Sequence, residues 1–317
     1  MSGDRLPKIL ARWVERSPEA ILCQRDLQLD INFTPAWILS AHDSIVEFLI
    51  EETNQSLKSL QNSKNYFQTA SLVVHRKPTV LADKNKGILI VGYIVHWKKA
   101  PEMAIAAVEN PTIIQKGGQA YMITMNCQKA HFWSGVRFGS YNWEEIPRNL
   151  PKLQKRRSFF PKFRHGRRIS QKEEKILAKS HFLHVGTVTP AGTIHVTPVH
   201  MTHVRNRVLF ATSLHSTKFR SFRSSQVFTG YTYSFRGEKS DFGNALTIRG
   251  TAFAYGWNLP TTIFYGLLFS PYLAYVAYRM WKKHPLMMRN FPMKTTNIRW
   301  RFMPFVARTF IEIYWTG

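Results

Sequence analysis

The sequence predicts an α+β fold with mainly antiparallel strands, closing in its second half into a small barrel. Three observations carry that expectation. After residue 170, apolar runs of strand length alternate with turn residues. Helical patterns separate them into groups of three, two and one. A basic stretch, "PKLQKRRSFFPKFRHGRR" at 151–168, divides this regular half from a less regular first half. The 317 residues are long for one small core, and 44% apolar with 14% aromatic content can fill two. The expected organisation is an α+β domain over 1–150, a basic linker over 151–169 and a barrel domain over 170–317.

The elements follow in order. "RLPKILARWVERSPEAIL" places Leu6, Ile9, Leu10, Trp13 and Val14 on one face of a first helix, with Arg5, Lys8, Arg12 and Arg16 around it. It reads as an ordinary amphipathic helix, with membrane-surface contact as the alternative. "SIVEFLIEETNQSLKSL" opens with Ser44-x-x-Glu47, a capping-box spacing, and carries Ile45, Phe48, Leu49, Leu57 and Leu60 at helical intervals, so a helix is expected there. Strands are expected at "ASLVVH", "PTVLAD", "GILIVGYIVHW" and "AYMITMN", with a helix at "PEMAIAAVENP".

Beyond the linker, Ser170-x-x-Glu173 caps a helix through "QKEEKILAKS". "FLHVGTV", the turn "TPAG", "TIHVTPVHMTHV", the two-residue turn Arg205-Asn206 and "RVLFATS" make three meandering strands. A helix "STKFRSFRSS" with Phe219 and Phe222 on one face follows, then strands "VFTGYTYSF" and "ALTIRGTAFAYGW", a long helical stretch, and a last strand "RTFIEIYW". This order suits a closed or half-closed antiparallel barrel with helices at its mouth.

The charge is uneven. Lys and Arg outnumber Asp and Glu by 17 to 14 over residues 1–150 and by 27 to 5 over 151–317. The second half therefore favours an anionic partner: a phosphorylated ligand, an anionic membrane surface or nucleic acid. Two distant cysteines, Cys23 and Cys127, support neither a disulfide framework nor a thiolate metal site, and a reducing, cytoplasmic setting fits them. His181, His184, His195, His200, His203 and His215 gather in the second half, but strand alternation puts His200 opposite His195 and His203, so no metal site is expected. Triads, P-loops and paired carboxylates are absent, and no catalytic side chain is assigned. Residues Leu259–Tyr278 carry no charge and precede Arg279, Lys282 and Lys283. The length would cross a bilayer, yet Pro260, Gly266 and Pro271 interrupt it, and a buried or interface helix is expected, with peripheral membrane contact as the alternative.

Two features suggest a ligand. Pro198 removes a ladder donor inside "HVTPVHM", so that strand is expected to be an edge or to bulge. In "VLFATSLHSTKFRSF" a strand ends in Thr212 and Ser213, and Ser216 and Thr217 open a helix bearing Lys218. A helix start supplies free N–H groups and a positive dipole end, and hydroxyls with a lysine complete a phosphate cradle. The alternative is a plain N-cap beside a solvated lysine.

The segment "FLHVGTVTPAGTIHVTPVHMTHVRNRVLFATSLHSTKFRSF", with "TIRGTA" at 247–252 and "RTFIEIYW", resembles the FMN-binding split barrels of the pyridoxamine 5'-phosphate oxidase-like superfamily over about residues 170–317. The resemblance implies a flavin-dependent oxidoreductase acting on a small or lipophilic substrate. FMN is the implied cofactor, with F420 and then haem as alternatives. It implies Thr197, Pro198 and Val199 beside the isoalloxazine ring, and Thr212, Ser213, Thr217 and Lys218 near the phosphate. Ser221-Phe222 and Ser224-Ser225 stand where the family commonly carries Asn-Leu and Asn-Pro. The order in "KGILIVGYIVHWKKAPEMAIAAVENPTII" is similar to the deazaflavin-dependent nitroreductase branch, which implies either a degenerate second split barrel in the first half or an unrelated α+β domain. Such barrels usually dimerise, so a homodimer is a further expectation. The rival function is a non-catalytic basic protein with a vestigial barrel that holds an anionic membrane surface or nucleic acid.

Overall fold

The computed structural model describes residues 8–17, 19–25, 31–51, 60, 69–76, 86–108, 119–134, 137–142, 167–188, 193–214, 216–224, 227–236, 239–285 and 308–315. The linker over 151–166 and the strand expected at "PTVLAD" lie outside them. The chain divides into two compact units: Met1–Pro78, Asp83–Leu153 and Val188–Val196, and Thr79–Ala82, Gln154–Thr187 and Thr197–Gly317.

The first unit holds α1 (Lys8–Glu15) and strands β1 (Glu19–Arg25), β2 (Ile31–His42), β3 (Ile45–Glu51), β4 (Thr69–Arg76), β5 (Lys86–Lys99), β6 (Ala120–Ser134) and β7 (Arg137–Asn142), with α2 (Glu102–Ala106) between β5 and β6. All recorded pairings are antiparallel, and because β3 also pairs with β6 the sheet closes as β1-β2-β3-β6-β5-β4, with β7 appended to β6. Period-two pairs fill its interior: Phe48 and Ile50, Leu72 and Val74, Ile88 and Ile90, Ile123 and Met125.

The helix expected from Ser44 is instead strand β3 through Glu51. Asp43, at φ 52°, turns the chain between β2 and β3, and Ser40 Oγ donates to Glu47 Oε2 at 3.0 Å, so Glu47 serves a hairpin rather than a cap. Val46, Phe48 and Ile50 face the barrel interior, while Leu49 packs outside with Trp37, Ala100 and Ala120. A strand buried on both faces gives a nearly continuous apolar run, which also satisfies helical spacing.

The second unit holds α3 (Gln171–Lys179), β8 (Phe182–Val188) up to Thr187, β9 (Ile194–Val204) from Thr197, β10 (Arg207–Ser213), α4 (Thr217–Ser224), β11 (Val227–Arg236), β12 (Lys239–Ala254), α5 (Leu259–Leu268), α6 (Ser270–Lys283) and β13 (Arg308–Trp315). The predicted capping box is present: Ser170 Oγ accepts from Glu173 N–H at 3.3 Å and Glu173 Oε2 accepts from Ser170 N–H at 2.8 Å. Arg167 pairs with the Glu173 carboxylate, and this hydrogen bond holds it at a pKa of about 2. Arg205, at φ 50°, makes the tight β9–β10 turn.

These strands close as β8-β9-β10-β13-β12-β11. Numbered within each unit, both barrels run first, second, third, sixth, fifth, fourth. Glycine recurs at matching strands: a Cβ on Gly92 of β5 would strike the Asn126 carbonyl of β6, and one on Gly250 of β12 the Tyr314 carbonyl of β13. Each marks a close approach of two backbones. Gly250→Ala is expected to cost about 1–3 kcal/mol of unfolding free energy, as overpacking does, and a urea titration would read it.

Leu183, Val185, Met201, Val208, Phe210, Ile248, Ile311, Ile313 and Trp315 fill the second barrel, plugged by Phe219 and Phe222 from α4 and Leu177 from α3. The long apolar stretch is not one helix but two, bent by 95°. Asn258 caps α5 by accepting from Thr261 N–H at 3.0 Å, and Pro260 occupies its first turn. On α6 Val276 packs on Val204 and Leu209, which face away from the barrel interior. Glu312 of β13 is buried beside it, accepting from the Tyr255 hydroxyl and ion-paired with Arg207 at 2.6 Å.

Candidate functional site

The predicted site falls on β9 from Thr197, on β10 and on the start of α4, all within the second unit. Pairing between β9 and β10 runs from Arg207↔Val204 to Phe210↔Met201 and is recorded no further. On the other side, β10 stays paired with β13 to Ser213↔Arg308. Beyond Met201 and Phe210 the two strands therefore part, and Thr197–His200 flank the opening from β9 while Ala211–Ser213 flank it from β10. Pro198 sits in this run, where β9 no longer pairs with β10, so its missing N–H breaks no bond to that neighbour. The edge expected for Pro198 is thus a local one, because β9 is an inner member of the closed barrel.

Thr197 and Pro198 are half-buried at this opening. The Val199 side chain points into the barrel core, so only its backbone is placed to meet a ligand. Thr212 is buried, and its Oγ1 lies 3.0 Å from Ser216 Oγ. Ser216 Oγ also accepts the Phe219 N–H at 3.2 Å, making Ser216 the N-cap of α4. Ser216 N–H donates to the Ser213 carbonyl at 3.1 Å, which closes the turn. A hydroxyl has two acceptor sites and one donor. With Thr212 as donor, Ser216 accepts twice and keeps its own O–H for a third partner. Ser213 and Lys218 are half-buried at the same turn. The Thr217 side chain and His215 lie outside the described residues.

The structure therefore brings Thr212, Ser213 and Lys218 to one turn and sets Thr197 and Pro198 on the strand next to it. Ser216 joins them through both hydrogen bonds; its place at the cap is what the Ser-x-Lys spacing encodes. The donor set fits a phosphate: hydroxyls, a helix N-terminus and one lysine, with no carboxylate among them.

His184 is buried, stacked on Tyr233 at 5.6 Å and 17°, and burial lowers its pKa to about 4. His200 lies 4.8 Å from His284 and His181 5.8 Å from it, ring centre to ring centre, beside Lys283 at the end of α6. Among the described residues no group of three or more His, Cys, Asp and Glu side chains is arranged to hold a metal. The Lys283 Nζ donates to the Leu177 carbonyl at 2.7 Å, and burial, then Arg279, lowers its pKa to about 7. Sequence spacing gave no hint of this lysine's burial, since it sits in an apparently basic helix end. Cys23 and Cys127 are buried and free, and burial raises both thiols, Cys127 to about 12.

Six antiparallel strands closed in this order make each unit a split-barrel-type fold. No family model and no curated protein matches the chain. Solved structures are similar to it over somewhat less than half its length. One is a protein from Clostridium acetobutylicum related to general stress protein 26, of the pyridoxinephosphate oxidase family: 11% identity, 41% of this chain, 89% of that one, TM-score 0.31. An F420 reductase shares 16% identity over 47% of this chain and 97% of its own, with a TM-score of 0.31. A pyridoxamine 5'-phosphate oxidase-related, FMN-binding protein from Nostoc punctiforme shares 7% over 44% and 96%, with a TM-score of 0.28.

Proposed function

We propose that the second unit binds a phosphorylated flavin-type cofactor, FMN or F420, and that the protein is an oxidoreductase acting on a small or lipophilic substrate. The observation that carries this reading is the parting of β9 from β10 next to the Thr212–Ser216 hydroxyl pair at the start of α4. Ser213, Ser216, Thr217, Lys218 and the first N–H groups of α4 would hold the phosphate. Thr197, Pro198 and the Val199 backbone would line the ring. When bound, such a cofactor supplies hydride or electron transfer, which needs no carboxylate base from a half that carries only five acids. The chain's own part is to orient the ring against β9 and to neutralise the phosphate.

Lys218→Ala tests the cradle. A charge-assisted hydrogen bond contributes about 1.5–3 kcal/mol, so FMN or F420 affinity should fall at least about tenfold by fluorescence titration. Thermal unfolding should barely move, since Lys218 is half-exposed. Unchanged affinity in Lys218→Ala would remove the lysine from the site.

A further inference from the structure

The outer surface of α5 reverses the usual amphipathic pattern. Its outward stripe is Pro260, Ile263, Phe264, Leu267 and Leu268, at helical spacing, and Ile263, Phe264, Leu267 and Leu268 are 45%, 60%, 74% and 59% exposed. The inward side is Thr261, Thr262 and Tyr265, and no residue of α5 is buried. Exposed Trp257, Phe269, Tyr275, Tyr278 and Trp281 surround the stripe. The inward row of α6 is Tyr272, Val276 and Met280, continued by His284 just past its end, so Tyr275, Tyr278 and Trp281 occupy its free side. No acid occurs from Trp257 to Pro285, and the free side of α6 ends in exposed Lys282.

We propose that this α5–α6 elbow inserts into one leaflet of an anionic lipid bilayer. A contiguous apolar patch of this kind marks an interaction site rather than ordinary surface. Its rim of Trp and Tyr is what the headgroup level selects, and its cations with no acid match anionic lipid. Among the described residues no single helix is long and apolar enough to cross a membrane. The ten residues of α5 span about 15 Å, half of a hydrocarbon core, and the 95° bend turns α6 away, so the elbow enters and does not cross. A second copy of this chain is the poorer occupant, because each copy carries +25 and no acid on this face to meet Lys282. This inference stands independently of the cofactor site.

The test is flotation of the full chain with phosphatidylcholine vesicles, with and without phosphatidylglycerol. The wild type should float with the anionic vesicles and far less with the neutral ones. The double variant Phe264→Glu/Leu267→Glu changes only exposed side chains, and its bound fraction should fall at least tenfold with an unchanged thermal transition. Lys282→Glu should weaken binding to the anionic vesicles by a smaller factor. Wild-type protein that stays unbound to anionic vesicles would overturn the proposal, as would a double variant that floats like the wild type. A wild-type dimer that ignores vesicles and that the double variant converts to monomer would assign the face to a second copy instead.

Discussion

Glu312→Ala is expected to lower the free energy of unfolding by about 1–3 kcal/mol, the range for stripping a buried acceptor from its hydrogen-bond partners, since the Arg207 guanidinium left behind is 44% exposed. Glu312 is fully buried on β13, ion-paired with Arg207 of β10 at 2.6 Å and accepting from the Tyr255 hydroxyl that follows β12. Tyr272 of α6 lies in the same network, its pKa raised to about 12 by burial and then by the Glu312 charge; the Tyr255 hydroxyl is raised by burial and then by its hydrogen bond to that carboxylate. One carboxylate thus ties two barrel strands to the helix that covers them. Its loss leaves the Arg207 guanidinium and the Tyr255 phenol short of an acceptor in a partly desolvated setting. Urea unfolding at neutral pH reads the effect. Glu312→Gln, which keeps an acceptor but not the charge, should fall between the two.

Acid should destabilise the second unit well before its carboxylates are all protonated. Burial lowers the pKa of His184 and His200 to about 4 and of His284 to about 3, His200 also through His181 and Lys283 and His284 also through His200 and Lys283. His203, near Glu174 at 3.9 Å, is lowered to about 4 by burial and then by Lys283 and Arg279. In the unfolded chain these rings titrate near 6.5. Above that value they are neutral in both states and cost the fold no stability. As pH falls from about 6.5 towards 4 the unfolded chain takes up protons that the native state refuses, so stability drops. At 1.36 kcal/mol per pKa unit, His184 alone accounts for about 3 kcal/mol. Lys283 acts in a different window: its penalty grows between about pH 10.5 and its native value near 7, so the slope from 6.5 to 4 belongs to the histidines. Urea midpoints at pH 7.5, 6, 5 and 4 check this, and His184→Phe should flatten the slope by about one proton.

Much of the second unit could be read from local chemistry. Ser170 and Glu173 announce α3, Arg205-Asn206 fixes a two-residue hairpin, and Phe219 with Phe222 shows which face of α4 is buried. The first unit was harder because its signals are non-local. Glu19–His42 forms β1 and β2 with no turn motif to mark them, and β3 has the letters of an amphipathic helix because it is buried on both faces between β2 and β6. Only the closed strand order, shared with the second unit, reveals what the resemblance of "KGILIVGYIVHW" could leave as an alternative. The stretch from Leu259 to Tyr278 misled in another way: hydropathy counts apolar residues but not the direction they face, and α5 turns them outward. In the candidate site, the residue types at Thr212–Lys218 were legible. The hydroxyl pair that holds Thr212 to Ser216, and the turning of Val199 into the core, depend on where β9 and β10 separate.

The central claim, a phosphate cradle at the junction of β10 and α4, is tested most directly by equilibrium titration of the purified wild-type chain with FMN and with F420, using riboflavin as the phosphate-free control. Saturable binding of FMN or F420 is expected, with a preference for FMN over riboflavin that Lys218→Ala reduces at least about tenfold. Binding of neither cofactor, or equal affinity for FMN and riboflavin in both proteins, would contradict it.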